Sequence, residues 1–406
     1  MTFKRKIYDK LLDHLSRKEF TIITGARQTG KTTLLKQINE YLVLENAAVY
    51  FLTLEDISIL NELNNHPENI FRFIVKKEGE KNYLLIDEIQ YLNNPSNFLK
   101  LLFDKYSEEL KIIATGSSAF YIDQNFKDSL AGRKRIFELY TLDFDEYLLF
   151  RKLDTTLLKE LKSIRENPEY ISLKRNELQQ HFNDYLIYGS FPAVVLADSK
   201  EEKTDLLKEL FTSYLKKDVL EAGIQHHDKF FNLLTLLAHQ TGSLLNVNEL
   251  SNTLGLSTTS VNHYLYVLSK SFQIQTIRPF FENIRKELTK MPKLYFNDTG
   301  FRNIIMNNFS SLEYRPDKGA IVENYIYIRL RELYGKDSIN FWRTADGNEI
   351  DFIYTVNDQR FALEAKYNHK EYRPLSYKKF AHAYPDIHIN CRAFLADSNK
   401  HNIIGF

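Results

Sequence analysis

Segment 25–32 constrains the fold of this chain more than any other part of the sequence. It reads GARQTGKT and lies between an apolar run, FTIIT, and a helical pattern, KTTLLKQINEYL. Glycines let the backbone curl so that its N–H groups point at one anion, and the N-terminus of the next helix adds a positive dipole. A strand, such a loop and a helix in this order predict a phosphate-binding unit of an α/β fold with a parallel sheet.

The loop matches the pattern G-x-x-x-x-G-K-[ST] at every fixed position, so we expect it to bind a nucleoside triphosphate. Lys31 is expected to neutralise charge on the β- and γ-phosphates, and Thr32 to ligate Mg²⁺. A chance glycine turn is the alternative, which the flanking strand and helix disfavour. The predicted nucleotide contacts are Gly25, Ala26, Arg27, Gln28, Thr29, Gly30, Lys31, Thr32, Thr33 and Thr115.

Two carboxylates complete the predicted nucleotide site. Asp87 and Glu88 follow the apolar run 83–86, and ligands bind at the carboxyl ends of strands in open α/β sheets. We expect Asp87 to hold the Mg²⁺ shell, and Glu88 to act with Lys31 in catalysis by polarising a water for attack on the γ-phosphate. Thr115 ends a later strand, where its hydroxyl would contact the γ-phosphate or that water. An ordinary strand-to-helix turn is the alternative for Thr115.

Residues 246–272 have the pattern of a helix-turn-helix. Gly255 supplies the turn, Ser257 is a good N-cap for the second helix, and a strand at 274–279 would make a winged version. The second-helix positions expected to face a DNA major groove are Thr258, Thr259, Asn262 and His263. The adjoining segment 278–293 is net basic. A helical hairpin used for protein contact stays open, because the second helix carries few cations and phosphate contacts dominate DNA affinity.

Three carboxylates and a lysine are predicted to converge near the C-terminal end. Glu364 and Lys366 are two residues apart on an apolar strand, so both side chains leave the same face. Asp351 is expected on the adjacent strand, level with Glu364, and Glu323 on a nearby helix. The three carboxylates would bind Mg²⁺, with Glu364 and Lys366 as catalytic groups, an arrangement that resembles the PD-(D/E)xK nucleases. A salt-bridged strand pair that does not cut is the alternative.

Composition excludes several other classes of protein. The 54 basic and 53 acidic residues give a net charge of +1, which excludes a wholly basic nucleic-acid coat but not a basic face on one domain. The one cysteine, Cys391, excludes an intrachain disulfide and a thiolate metal cluster. The N-terminus has no secretory pattern and no run of about 18 apolar residues occurs, so we expect a cytoplasmic protein without a membrane span.

Several strings resemble the AAA-type ATPases of bacteria and archaea that carry a C-terminal domain of uncharacterised function. They include GARQTGKTTLL, YLLIDEIQ, ATGSS and LAGRKRIFELYTLDFDEYL, and the resemblance continues through YLIYGSFPAVV, SYLKKDV, KLYFNDTGFRN, EIDF and ALEAK. It implies ATP rather than GTP. It also implies that Arg133 contacts the γ-phosphate or a neighbouring subunit, which leaves a homo-oligomer open; a plain surface arginine is the alternative.

These patterns predict a multi-domain α/β protein. The predicted domains are an AAA-type P-loop ATPase core at 1–150, a helical lid at 151–222, a winged-helix-like module at 223–285 and a small nuclease-like α/β domain at 286–406. The expected activity is Mg²⁺-dependent ATP binding with slow hydrolysis, coupled to DNA-binding, nuclease-like C-terminal modules. The alternatives are an ATP-dependent switch that binds DNA or protein without cleavage and, less favoured, a P-loop kinase acting on a small molecule.

Overall fold

The computed structural model describes residues 3–77, 79–116, 132–152, 155–167, 169–219, 222–280 and 290–406. These residues form two compact units, each with its own β-sheet. The first unit is Met1–Thr141 with Val267–Phe272, and the second is Leu142–Tyr266 with Gln273–Phe406. The chain therefore has the α/β architecture that its sequence predicted.

The first unit contains the predicted parallel sheet. Its strands are β1 (Phe20–Thr24), β2 (Ala48–Thr53), β3 (Asn82–Asp87), β4 (Leu110–Gly116) and β5 (Lys134–Glu138). They run parallel in the order β2-β3-β4-β1-β5. Because β1 and β3 both flank β4, the carboxyl ends of these three strands meet at one edge of the sheet. The apolar runs predicted as strands are confirmed.

Helices cover both faces of this sheet. They are α1 (Ile7–Asp13), α2 (Lys31–Leu44), α3 (Ile57–Asn65) and α4 (Pro95–Tyr106), with 3₁₀ turns at His14–Ser16, Pro67–Arg72 and Ile89–Tyr91. Successive strand residues point to opposite faces. Thus Ile22 and Leu84 join the core on the side of α3 and α4, whereas Ile23 and Leu85 join the core on the side of α1 and α2. Burial on both faces explains why these strands read as continuous apolar runs.

The second unit begins with helices and contains most of the helical residues. Its helices are α5 (Phe144–Phe150), α6 (Thr155–Glu166), α7 (Arg175–Tyr188), α8 (Pro192–Leu196), α9 (Lys200–Tyr214), α10 (His227–His239), α11 (Val247–Leu254), α12 (Thr258–Lys270, whose last residues belong to the first unit), α13 (Thr299–Ile305), α14 (Lys318–Tyr334) and α15 (Lys378–Ala383). A π-helical turn, Leu215–Val219, extends α9. Short 3₁₀ turns lie at Leu312–Tyr314, Lys336–Ser338, His369–Glu371, Pro374–Tyr377 and Ile403–Gly405. Among the described residues, no helix combines the length and apolar character needed to cross a membrane.

A mixed six-stranded sheet forms the rest of the second unit. Its strands are β6 (Ile274–Pro279), β7 (Lys293–Phe296), β8 (Ile339–Arg343), β9 (Glu349–Val356), β10 (Gln359–Asn368) and β11 (Ile389–Leu395). The order is β11-β10-β9-β8-β6-β7, with β6–β8 and β10–β11 parallel and the other pairs antiparallel. Strands β6 and β7 pair across the domain boundary predicted at 285/286. Residues 281–289 of the basic segment 278–293 lie outside the described residues.

Two of the strings noted in the sequence dock on each other inside the second unit. The backbone N–H of Ser190 donates to Asp298 Oδ2 at 2.8 Å, and the Ser190 hydroxyl donates to the same oxygen at 3.0 Å. A Cβ added at Gly300 would lie 2.0 Å from the carbonyl oxygen of Tyr188. The glycine therefore allows the N-terminus of α13 to lie against the end of α7.

Candidate functional site

The loop 25–32 connects β1 to α2 and needs both of its glycines. Gly30 is the N-cap of α2 and has a left-handed φ of 94°, and a Cβ added there would meet nothing within 4 Å. Gly25 instead packs against backbone, because a Cβ there would lie 2.0 Å from the carbonyl oxygen of Leu139. The first glycine thus permits a close approach to the chain after β5, and the second permits the turn into the helix while leaving open space above the loop.

Lys31 lies within the curve of the loop. Its amine donates to the carbonyl oxygens of Gly25 at 2.9 Å and Ala26 at 2.8 Å, and the residue is 5% exposed. The Thr29 hydroxyl also donates to Ala26 O, at 2.8 Å. Arg5 holds the loop from outside, since its guanidinium donates to Thr29 O at 2.9 Å. The sequence gives no indication of this role for Arg5, because the residue lies outside the loop motif and its partner is a backbone carbonyl.

Four polar residues meet at the edge of the sheet beside this loop. The Thr32 hydroxyl donates to Asp87 Oδ2 at 2.8 Å, and the Thr115 hydroxyl donates to the other oxygen of the same carboxylate. Thr115 in turn accepts from the backbone N–H of Glu88 at 3.1 Å. The predicted metal, phosphate and water-activating residues are therefore brought together by one hydrogen-bonded network.

Glu88 has an unusual backbone conformation for its residue type. Its φ is 60°, in the left-handed region that costs a non-glycine residue of order 1 kcal/mol or more. Its half-buried carboxylate accepts a hydrogen bond from the side-chain amide of Gln90, which is itself 7% exposed. The buried Gln90 side chain therefore positions the Glu88 carboxylate.

The residues at this edge fit a magnesium–nucleotide complex. Hydroxyl and carboxylate oxygens are ligands that Mg²⁺ prefers, and Thr32 Oγ1 and Asp87 Oδ2 are close enough to serve one ion. The lysine amine, the open space at Gly30 and the N-terminus of α2 suit phosphate groups. Of the other predicted contacts, Arg27 is half-buried, whereas Gln28 and Thr33 are exposed. Arg133 pairs with Asp104 of α4, with 2.6 Å between Nε and Oδ1.

Helices α11 and α12 form a helix-turn-helix, which lies in the second unit except for the last residues of α12. Gly255 between them has a φ of 58°, and the Ser257 hydroxyl accepts the backbone N–H of Ser260 at 3.0 Å. Of the apolar residues on α12, Val261 and Tyr264 are buried, whereas Leu265 is half-buried. The four positions predicted to face a groove are all exposed: Thr258, Thr259, Asn262 and His263.

The strand pair β6–β7 follows this helix pair, which gives the order of elements found in winged helices. Ile277 pairs with Lys293 at one end of the strand pair, and Leu244, just before α11, forms a bridge to the same lysine. The Lys229 amine donates to Gly255 O at 2.7 Å and so fixes the turn between the helices.

A carboxylate cluster lies on the second sheet, made of Glu323, Glu349, Asp351 and Glu364 with Lys293 and Lys366. The β9–β10 register puts Asp351 beside Glu364, and the Asp351 N–H donates to Glu364 Oε1 at 3.2 Å. Lys366 Nζ lies 2.7 Å from Glu364 Oε2, which also accepts from the hydroxyl of Tyr377 at 2.8 Å. The predicted neighbours on these strands are thus adjacent.

Lys293 lies in the middle of this cluster. Its Nζ is 2.5 Å from Glu349 Oε1, 3.0 Å from Glu323 Oε1 and 3.6 Å from Asp351 Oδ1, and its side chain is 1% exposed. In the sequence, Lys293 stands out only as one cation of a basic segment, and Glu349 only as part of the string EIDF. A lysine that opens the buried strand KLYF is the signal that could have indicated a buried ion pair.

The pKa values of Glu323, Glu364 and Lys293 are all raised, and for the lysine this is the opposite of the effect of burial alone. Burial raises the pKa of Glu323 to about 7, and burial together with the charge of Asp351 raises the pKa of Glu364 to about 8. Burial alone would lower the pKa of Lys293, but the charges of Glu323, Asp351 and Glu349 outweigh it, so its pKa is raised. The lysine is therefore charged at neutral pH.

The carboxylate cluster, unlike the loop site, does not fit a divalent cation as it is arranged. A charged amine already lies between Glu323 and Asp351, where a shared cation would have to bind. Within the described ranges, no group of three or more His, Cys, Asp or Glu side chains is arranged to hold a metal ion. Metal binding by Glu323, Asp351 and Glu364, and catalysis by Glu364 and Lys366, stay predictions.

Three family models match different parts of the chain. Residues 17–148 match an AAA domain, residues 179–312 match a domain of unknown function (DUF8612), and residues 318–403 match another domain of unknown function (DUF4143). The AAA match covers the loop, Asp87, Glu88 and Thr115. The DUF4143 match covers Glu323, Asp351 and the strand of Glu364, but not Lys293.

Archaeal relatives match most of the chain. The chain is 31% identical to the uncharacterised protein MJ1637 of Methanocaldococcus jannaschii over 345 residues, which cover 80% of this chain and 71% of that protein. It is 26% identical to MJ1544 of the same organism over 340 residues, covering 82% of this chain and 71% of the relative.

A solved structure of AMPPCP-bound DnaA from Aquifex aeolicus is similar at 15% identity with a TM-score of 0.32, covering 65% of this chain and 86% of that one. A score this low does not establish a shared fold, so the architecture of the first unit rests on its own strand order.

Proposed function

The chain belongs to the family of archaeal and bacterial proteins that combine an N-terminal AAA domain with a C-terminal DUF4143 domain, and from this premise we propose that it binds and slowly hydrolyses ATP. The observation that carries the proposal is the hydrogen-bonded network of Thr32, Asp87, Thr115 and Glu88 beside the loop. A phosphate-binding loop, a metal-binding pair and a water-activating carboxylate at one sheet edge are the parts that phosphoryl transfer to water requires.

Each residue would have a separate task in that reaction. Lys31 would bind the β- and γ-phosphate oxygens, for which its amine would exchange its contacts with the loop carbonyls. Thr32 and Asp87 would hold Mg²⁺, which supplies charge neutralisation at the phosphates. Glu88, positioned by Gln90, would accept a proton from the attacking water, and Thr115 would keep Glu88 and Asp87 in register.

ATP affinity of a Lys31→Ala variant tests this proposal. We expect at least a tenfold loss of affinity for ATP with Mg²⁺ in isothermal titration calorimetry, because the lysine is the charged partner of the terminal phosphates. Lys36→Ala is the matched control, since Lys36 is an exposed lysine on the same helix and should leave the affinity unchanged. Wild-type protein that takes up no ATP, or Lys31→Ala protein that binds it as well as wild type, would contradict the proposal.

We propose in addition that the helix-turn-helix contacts DNA and that nucleotide controls this contact. The exposure of Thr258, Thr259, Asn262 and His263 on one helix, followed by the β6–β7 strand pair, supports this function. Asparagine and histidine side chains at such positions can hydrogen-bond base edges in a major groove. Cleavage of the DNA is not part of this proposal.

Fluorescence anisotropy with a labelled DNA duplex at low salt tests the DNA contact. A double variant, Asn262→Ala with His263→Ala, should weaken binding several-fold, whereas Asn232→Ala on the exposed face of α10 should not. Wild-type affinity should also differ between ATPγS and nucleotide-free conditions if nucleotide controls the contact. Equal DNA affinities for wild type and the double variant would contradict the assignment of this surface.

A further inference from the structure

We infer that the amine of Lys293 takes the place of a divalent cation in the carboxylate cluster, so that this nuclease-like centre is neutralised from within and does not cut. Glu323 on α14 and Asp351 on β9 are two of the three carboxylates that were predicted to share a cation. Lys293 Nζ lies 3.0 Å from Oε1 of the first and 3.6 Å from Oδ1 of the second. The position between them is therefore held by a covalently attached cation.

The lysine is fixed in that position by its strand. Its backbone pairs with Ile277 on β6 and bridges to Leu244, so residue 293 is held from both sides. Its side chain is 1% exposed, and its Nζ lies 5.6 Å from the centre of the Phe341 ring. The amine cannot move out to solvent, as a surface lysine would, unless β7 separates from its neighbours.

The carboxylate oxygens that face Lys293 have further donors inside the protein. Glu323 Oε1 accepts a hydrogen bond from the Tyr295 hydroxyl at 2.7 Å. Glu349 Oε2 lies 2.6 Å from NH1 of Arg343. Glu323 therefore has one cationic partner, Lys293, and one hydroxyl donor, whereas Glu349 has two cationic partners, Lys293 and Arg343.

The second half of the cluster is satisfied in the same way. Glu364 Oε2 accepts from Lys366 and from Tyr377, and Asp351 Oδ2 accepts from the backbone N–H of Ala365 at 3.0 Å. Lys366 is thus an ion-pair partner of Glu364 here. Four acidic side chains face three cations, Lys293, Lys366 and Arg343. The raised pKa values of Glu323 and Glu364 lower the negative charge further at neutral pH, so little charge is left for a metal to balance.

A Mg²⁺ ion would have to rebuild this arrangement. It requires oxygen ligands at about 2.0–2.1 Å in near-octahedral geometry, and these oxygens are oriented toward amines and hydroxyls instead. It would also lie within a few ångströms of the Lys293 charge, which repels it in a poorly screened interior. The cluster therefore serves to join α14, β7, β9 and β10, and it does so by ion pairs.

Uptake of Mn²⁺ by nucleotide-free protein tests this inference directly. All proteins carry Asp87→Asn, so that the carboxylate proposed for the nucleotide site contributes no metal binding. Unbound Mn²⁺ is followed by its electron paramagnetic resonance signal. We expect the Asp87→Asn protein to take up no more Mn²⁺ than the Asp87→Asn, Asp351→Asn protein does. One additional Mn²⁺ per chain that disappears with Asp351→Asn overturns the inference.

Replacement of the lysine should create the missing cation site. In the same background, Lys293→Ala is expected to take up one Mn²⁺ per chain and to unfold at a higher temperature when Mn²⁺ is present. Lys290→Ala, an exposed lysine three residues away, is the matched control and should gain neither property. A folded Lys293→Ala protein that takes up no Mn²⁺ contradicts the inference. If Lys293→Ala does not fold under any condition, the inference is tested by the Mn²⁺ uptake of the Asp87→Asn protein with and without Asp351→Asn.

DNA cleavage supplies an independent readout. Wild-type protein with ATP and Mg²⁺ or Mn²⁺ should leave plasmid and linear DNA intact, and metal-dependent cleavage that Lys366→Ala abolishes overturns the inference. The Mn²⁺ measurements do not depend on the ATPase proposal, because they are made without nucleotide. Loss of ATP binding in Lys31→Ala and absence of Mn²⁺ uptake at Asp351 are therefore separate results.

Discussion

The hydroxyl of Thr32 lies 2.8 Å from Oδ2 of Asp87, although the two residues are 55 positions apart in the chain. The contact exists because Thr32 is in the first turn of α2, directly after the loop from β1, and Asp87 is the last residue of β3. Parallel strands deliver both side chains to the same edge of the sheet. The Thr115 hydroxyl, from the strand between them, bonds the other oxygen of Asp87.

The Mg²⁺ dependence of ATP affinity should come from this pair. Wild type should bind ATP more tightly with Mg²⁺ than with EDTA, and Asp87→Asn should remove most of that difference because it removes a ligand charge. Thr32→Val should act in the same direction by removing the hydroxyl. Titration calorimetry with and without Mg²⁺ measures the effect. Lys36→Ala, at an exposed lysine on the same helix, is the control and should keep the wild-type difference.

Glu88→Gln should separate ATP binding from hydrolysis. The substitution keeps the side-chain shape and the hydrogen bond to Gln90 but removes the base, so turnover should fall by about 10²–10⁴-fold with little change in affinity. Gln90→Ala should lower turnover less than Glu88→Gln does, because the Glu88 carboxylate is still present and loses only the hydrogen bond that positions it. A phosphate-release assay under saturating ATP measures the turnover of both variants. Wild-type turnover in Glu88→Gln would remove Glu88 from the catalytic role.

The sequence is most informative where a local motif and a periodic pattern agree. The strand FTIIT, the loop after it and the helix beginning at Lys31 were all predictable, because glycine spacing and continuous apolar runs are local properties. The neighbours Asp351 and Glu364 were predictable as well, because a short hairpin fixes which residues face each other.

Long-range partners could not be predicted in the same way. Arg5 contacts Thr29 and Lys293 contacts Glu323 only because distant elements fold together, and no spacing rule links them. Tyr264 rather than Leu265 is buried, and its ring packs against Phe230 of α10, a partner that the pattern of α12 alone does not specify. The charge of Lys293 changes the chemistry expected of its neighbours, so one unpredicted contact alters the interpretation of a whole cluster.

Gly300→Ala should destabilise the second unit strongly. The new Cβ would lie 2.0 Å from Tyr188 O and 2.8 Å from Gly189 N, so the backbone must shift, which we expect to lower the free energy of unfolding by about 1–3 kcal/mol. Gly319→Ala is the opposite case, because its Cβ meets nothing within 4 Å on α14 and alanine favours a helix by up to about 1 kcal/mol. Urea unfolding followed by Trp342 fluorescence compares the two. Equal midpoints would contradict the close approach of α7 and α13.

Acid should destabilise the first unit in part through His14. Burial, with the charge of Lys111, lowers the pKa of His14 to about 4, from about 6.5 in an unfolded chain. The unfolded chain therefore takes up a proton that the folded protein does not, and stability should fall as the pH drops from about 6.5 to about 4. His14→Gln should make the dependence of the urea midpoint on pH shallower, as measured by circular dichroism. The exposed His382→Gln should leave the slope as it is.

Cys391 should report opening of the second sheet. It lies on β11 beside Glu364 on β10, it is 2% exposed, and burial raises the pKa of its thiol to about 12. Because a thiolate is the reactive form, native protein should react with a disulfide reagent far more slowly than unfolded protein at pH 8. Labelling then requires β11 to separate from β10, so its rate should rise in Gly300→Ala protein and stay at the wild-type value in Glu88→Gln protein. Rapid labelling of the folded wild type would contradict the burial of this strand.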